Sequence, residues 1–175
     1  MMDIALTSGD PASALWHRVD KSDLQKIWDL FDNHPVPVGQ VADRLGIDVL
    51  SLTLPTEISG LIRRNENGKF EIHINNTDAP VRQRFTVCHE IAHYLLHRNL
   101  IDGDGITDNI LYRSKLSNKQ EAEANRLGSA ILLPWKNIIT WHSEKYGTYP
   151  SKENIEEIAQ QFRASSLAVG FRLGI

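Results

Sequence analysis

The run of apolar and polar positions divides the chain into short helices, a small group of strands, and then mostly helices. Leu24, Ile27, Trp28 and Phe31 fall on one face of a helix that Ser22 caps and that runs to about Asp32. His34-Pro35-Val36-Pro37 ends it. A short helix from Val38 to Leu45 follows, with Gly46 as its stop. Val49–Leu54 reads as a strand closed by Pro55. Two extended runs, Ser59–Arg64 and Lys69–Asn75, flank Asn65-Glu66-Asn67-Gly68, and Asn-Gly before an alternating segment predicts a hairpin. Phe70, Ile72 and Ile74 alternate with Glu71 and His73, so one face of that strand is buried.

A longer helix spans Ala79 to Arg98, with Asp78 as its N-cap and Pro80 in its first turn. Residues 99–116 read as a loop. Ser117 and Gln120 have the spacing of a capping box, which opens a helix running to Leu133, where Pro134 breaks it. Trp135–Tyr146, Ser151–Phe162 and Ser165–Leu173 are three further helices. The order predicts an α+β fold, a small antiparallel sheet packed against helices. We expect one domain over residues 1–175, comprising a lead-in without clear period (1–20), a core (21–134) and a C-terminal helical part (135–175).

Composition narrows the class. Hydrophobic residues make up 41% and charged residues 23% of the 175, ordinary values for a globular protein with a proper core. With 19 Lys and Arg against 22 Asp and Glu the net charge is -3, which argues against nucleic-acid binding through bulk charge. Cys88 is the sole cysteine, so no internal disulfide forms and a reducing compartment is expected. The first residues lack the basic start and apolar run of a secretory leader, and no stretch is long and apolar enough for a membrane span. A soluble cytoplasmic protein is expected, with neither membrane nor direct nucleic-acid partner.

The chemistry lies in His89-Glu90-Ile91-Ala92-His93. Histidines four apart on a helix lie one turn apart on one face, where two imidazoles can bind one Zn²⁺. Glu90 sits beside His89 and can act as a base near that metal without ligating it. Phe85, Cys88, Ala92, Leu95 and Leu96 make this helix apolar enough to be buried, and buried histidines and a buried glutamate need partners that a metal supplies.

A catalytic zinc needs a third protein ligand. The metzincin spacing fails, because Leu96 and Asn99 stand where Gly and His are required. His97 continues the face, but ligands on three successive turns would spread over about 12 Å of helix rise, too far for one ion. We read it as a helix-end residue favoured by the C-terminal dipole. Glu121 and Asn125, four apart in the helix after Ser117, share a face, so Glu121 can bind the metal while Asn125 hydrogen-bonds to one of its ligands. Glu123 points about 200° away from Glu121 and is expected to be solvated or salt-bridged, with little effect if replaced. Glu121-x-x-Ala124-Asn125 is similar to thermolysin-like (gluzincin) sites, in which a glutamate ligand is followed at four by Asp or Asn.

The stretch from Arg84 to His97 resembles the core of the ImmA/IrrE family of metallopeptidases, as does the stretch from Glu121 to Pro134. Residues 36–47 and Ser59-Gly60-Leu61-Ile62 resemble that family's N-terminal portion. Cys88 and Ala92 stand where Ala and Gly are usual, and Leu127-Gly128-Ser129 where Phe-Ala-Ala is usual; all these changes leave the ligand positions untouched. The resemblance implies a thermolysin-like minimal metallopeptidase core followed by C-terminal helices. It implies a zinc endopeptidase with His89, His93 and Glu121 as ligands and Glu90 as catalytic base. It also implies a cytoplasmic bacterial or mobile-element protease that cleaves a helix-turn-helix repressor encoded nearby, in some cases within a toxin–antitoxin-like pair.

Other features stay open at this level. Tyr112, Arg113, His142 and Tyr146 are candidates for stabilising the oxyanion. Lys69–Asn75 is either an edge strand that takes extended substrate by β-addition or a solvated face. Residues 155–169 resemble a helix-turn-helix, making a DNA-binding regulator one rival function; a zinc-containing binding or toxin component without proteolysis is another. His17, His34 and His142 stand isolated, and Cys88 reads as a packed thiol.

Overall fold

The computed structural model describes residues 9–101, 106–108 and 117–175. In chain order its elements are α1 (Ser13–Trp16), α2 (Lys21–Ile27), α3 (Val38–Arg44), β1 (Asp48–Leu52), β2 (Gly60–Arg64), β3 (Phe70–Asn75), α4 (Pro80–His97), β4 (Ile106–Asp108), α5 (Asn118–Leu132), α6 (Trp135–Tyr146), α7 (Ile155–Phe162) and α8 (Ser166–Leu173). The α+β class follows from this order. Among the described residues no helix is long and apolar enough to cross a membrane.

The sheet is mixed rather than antiparallel. Its order is β1-β3-β2-β4, with β3 antiparallel to β2 and parallel to β1. The hairpin at Asn65–Gly68 forms as its sequence predicts, with Gly68 at φ +77° and Lys69 N–H bonded to the Asn65 side chain. Residues 53–59 carry the chain from β1 past β3 to β2. Strand β1 therefore runs against β2 and along β3. Asn75 pins this crossing: its side-chain amide donates to the carbonyls of Leu54, Pro55 and Ile58 at 3.2, 3.2 and 3.0 Å. Strand β3 is thus interior, and β-addition along Lys69–Asn75 is ruled out. The short β4, on residues expected to be loop, forms one edge by pairing with β2.

Two caps differ from their sequence assignments. Asp20, not Ser22, caps α2: its carboxylate accepts from the Ser22 N–H at 2.7 Å and from the Ser22 hydroxyl at 2.6 Å. A charged acceptor serves an orphan helical N–H better than a hydroxyl does. Ala79 occupies the cap position of α4 without a side-chain bond, because Asp78 pairs with Arg82 at 3.3 Å instead. Pro80 at the first position removes one of the donors a cap would serve. The Ser117–Gln120 capping box forms in both directions and fixes where α5 begins.

Helix α4 is buried almost continuously from Thr86 to His97. It packs against β2 and β3 on one side and α5 on another, with α3 also in contact. Ile62, Ile72, Ile91, Leu127 and Ile131 are wholly buried in the resulting core. Part of the lead-in joins that core through Ala12, Leu15, Trp16 and Val19. Asp10 reaches across to Arg172 of α8 at 2.7 Å, with both side chains only 2% exposed, and Arg172 Nε donates to the Leu133 carbonyl at 2.9 Å.

Helices α4 and α5 approach each other closely at Gly128. A β-carbon placed there would lie 2.9 Å from His89 Cα and 3.0 Å from His89 N, so backbone meets backbone and no side chain can yield. Gly128→Val must push the helices apart. It is expected to destabilise the fold by about 1–3 kcal/mol, the range for overpacked cores, read as a lower midpoint in denaturant unfolding. An unchanged midpoint would mean the helices separate freely.

Candidate metal centre

The capping box sets the phase of α5, and the Gly128 contact sets its distance from α4. Glu121 precedes Gly128 by seven residues, about two turns, so the two share a face. That face meets the histidine face of α4. One ligand atom each from His89, His93 and Glu121 gather within 4.8 Å of one another. His89 Nε2 lies 3.0 Å from His93 Nε2, and the Glu121 carboxylate lies 3.5 and 3.6 Å from them. Both histidines are almost wholly buried, while Glu121 retains some exposure, so solvent approaches from the carboxylate side.

The donor chemistry fits a cation. Asn125 Oδ1 accepts from His89 Nδ1 at 2.9 Å, which places the His89 ring proton on Nδ1 and leaves a lone pair on Nε2. Burial lowers the pKa of His93, an effect reinforced by His89 and His97 and opposed by Glu121. Burial by itself would raise the Glu121 carboxyl, but its polar contacts with the His89 and His93 rings outweigh it and hold the group well below the usual carboxylate range. Nitrogen lone pairs and a carboxylate oxygen at such separations repel unless a proton or cation lies among them. A tetrahedral ion about 2.1 Å from each donor requires donors about 3.4 Å apart, and the observed 3.0, 3.5 and 3.6 Å bracket that value.

Glu90 is wholly buried beside this group on α4. The start of β2 lies against it: a β-carbon on Gly60 would overlap the Thr86 methyl and stand 2.9 Å from the His73 carbonyl, with Glu90 Oε1 at an ordinary contact distance of 3.7 Å. Glycine at 60 lets β2 pack on Thr86, one turn before Glu90 on α4. Next to the centre a recess of about 730 Å³ opens, lined by Ser59, Phe85, Thr86, Asn125, Leu167 and Phe171 among others. The Phe85 ring lies 6.3 Å from that of His89, and Asn125 is shared between recess and centre.

The remaining candidates separate. His97 lies outside the converging group; its Nδ1 is 3.1 Å from His93 Nδ1 and its Nε2 is 3.1 Å from Glu123 Oε2. Glu123 is salt-bridged to Arg18 at 2.9 Å, and the Arg18 hydrogen bond, aided by His97 against desolvation, holds its carboxyl at about 2. Sequence reasoning missed the link from His97 to Glu123, although four-residue spacing after His93 was its visible sign. His142 bonds through Nδ1 to the Thr148 carbonyl at 2.7 Å, and the Tyr146 hydroxyl donates to Glu157. Both are engaged in packing at the far end of α6. Tyr112 and Arg113 fall outside the described residues. Burial pushes the Cys88 thiol up to about 12, so it packs as a neutral side chain and offers no thiolate.

Comparison with curated proteins gives no match. Residues 42–174, which take in the sheet, both helices of the centre and the C-terminal helices, match the peptidase family model described as the IrrE N-terminal-like domain. That match agrees with the ImmA/IrrE resemblance carried by the two motifs. With His89, His93 and Glu121 gathered as a set able to hold a metal and the family model covering most of the chain, the protein belongs to the IrrE N-terminal-like peptidase family, a family of metallopeptidase type.

Proposed function

We propose that this chain is a zinc-dependent endopeptidase of the cytoplasm that cleaves a helix-turn-helix repressor, as one half of a toxin–antitoxin-like or mobile-element regulatory pair. The observation that carries the enzymatic part is the convergence of His89 Nε2, His93 Nε2 and the Glu121 carboxylate beside Glu90. Two nitrogens and one oxygen form a donor set that suits zinc, with a position left for substrate or water. Bound there, zinc would polarise the scissile carbonyl and make water a stronger nucleophile. Glu90 accepts the proton from the attacking water at its carboxylate and returns it to the leaving amine. Asn125 holds the His89 ring in the tautomer that presents Nε2.

The substrate approaches along the β4 edge, which borders the centre through the pairing of Gly60 with Asp108. The recess beside His89 takes an apolar side chain of the substrate next to the scissile bond. Its walls Leu167 and Phe171 are 83% and 56% exposed, an apolar surface that a protein substrate would cover. The same two residues speak against α7 and α8 as a DNA reader, since the outer face of the second helix is apolar where a groove-binding helix carries basic and polar groups. The repressor target is drawn from the family resemblance, and the cytoplasmic location from the single cysteine, which is free and buried.

Glu90→Gln is expected to bind zinc like the wild type and to cleave about 10²–10⁴-fold more slowly, measured by metal content and fragment analysis on the helix-turn-helix protein encoded beside it. If the zinc-loaded wild type cuts other peptides but leaves that protein intact, the substrate assignment is wrong. Glu121→Ala should lose zinc on dialysis; normal retention would remove Glu121 from the ligand set. Phe171→Asp should leave zinc content unchanged and lower kcat/KM for substrates with an apolar residue at the cleavage site by about tenfold or more, the scale of one apolar pocket contact. Equal kcat/KM in the two proteins would exclude the recess from substrate binding.

A further inference from the structure

A chain of polar contacts leaves the centre on the far side of His93. His93 Nδ1 meets His97 Nδ1 at 3.1 Å, and His97 Nε2 meets Glu123 Oε2 at 3.1 Å. The two nitrogens of Arg18 then meet the two oxygens of Glu123 at 2.9 and 3.1 Å. His93 and His97 are almost wholly buried, so bulk water does not compete for these contacts.

The chain has a direction. An ionised carboxylate only accepts, so His97 Nε2 must carry a proton toward Glu123. A neutral His97 then has its lone pair on Nδ1. Facing it at hydrogen-bond distance, His93 Nδ1 must be the donor. His93 Nε2 is left with its lone pair aimed at His89 and Glu121. His89 reaches the same state by a separate route, through Asn125. The two histidines are therefore served by different partners, His89 by Asn125 of α5 and His93 by His97 of its own helix, which leans in turn on Glu123 of α5.

We propose that His97 and Glu123 are positioning residues that lock His93 in the Nδ1–H tautomer and so present Nε2 to the metal, with Arg18 anchoring the far end of the chain. The inference rests on the assignment of His89, His93 and Glu121 as the metal site. His97 sits one turn beyond His93, too far along the axis to ligate but well placed for the ring contact seen, with centroids 5.3 Å apart. It also changes what is expected of Glu123. A merely salt-bridged surface carboxylate would be dispensable, whereas this one sets the proton on a histidine two contacts away.

The full-length protein, stripped of metal, serves for the first measurement. Long-range ¹H–¹⁵N correlation spectra at neutral pH should show His93 with its proton on Nδ1. A proton on His93 Nε2 would overturn the proposal whatever the variants do. Zinc affinity, measured by competition with a chromophoric chelator, supplies the second readout. His97→Leu keeps the volume and removes the acceptor; it should weaken zinc binding about 10–100-fold, as loss of a partner behind a ligand does elsewhere. Glu123→Gln retains an oxygen acceptor for His97 and should stay close to wild type in both tautomer and affinity, whereas Glu123→Ala should follow His97→Leu. His97→Leu with wild-type affinity, while Glu121→Ala loses zinc, would sink the relay and leave the metal site standing. Wild-type protein that fails to take up zinc would sink both.

Discussion

Two helices meet here with almost nothing between them. The Gly128 position on α5 presses on the backbone of His89 on α4, and that contact fixes a set of pairings along the two helices. Glu123 meets His97, Glu121 meets His93 and His89, and Asn125 meets His89. A side chain at 128 would widen this approach and with it the distance from α5 to both imidazoles. The sheet, the capping box and the C-terminal helices all act to hold this approach, β2 by packing on Thr86 of α4 and Ser117 by fixing where α5 begins.

Burying polar groups so deeply is unfavourable unless each has a partner. The centre meets that demand by sharing. Each histidine has one ring nitrogen turned toward the common cluster and one toward α5 or its own helix end, so neither ring rotates without breaking a contact. Preorganisation of this kind lets a small protein hold a metal with three side chains, because the order a ligand set needs is already present in the fold.

Much of the architecture was legible in the sequence, for reasons that differ by element. The Asn-Gly hairpin, the Ser117 box and the proline breaks are local signals, and local signals decide local structure. The four-residue spacings of His89 with His93 and of Glu121 with Asn125 were readable because helical period alone puts each pair on one face. What was not legible depended on contacts between distant segments. The parallel pairing of β1 with β3 follows from a loop crossing pinned by Asn75, and nothing in residues 48–52 declares their direction. Strand β4 is three residues long, below what alternation can reveal. Asp20 and not Ser22 is the cap because its carboxylate accepts both the Ser22 N–H and the Ser22 hydroxyl proton, so the helix starts a residue before Ser22. His97 and Glu123 were each read singly, as a helix end and a surface charge; the bond between them exists only once α4 and α5 are packed.

The clasp between Asp10 and Arg172 has a consequence for how the molecule comes apart. Arg172 is held on one side by the N-terminal segment and on the other by the Leu133 carbonyl at the end of α5. Peeling away the first residues would strand a buried guanidinium and uncover Leu15 and Trp16 in the same motion. Release of residues 10–19 therefore costs a buried ion pair and apolar cover together. The family match begins at residue 42, yet the buried core takes in residues back to Asp10, so both ends of the described chain bear on the same packing.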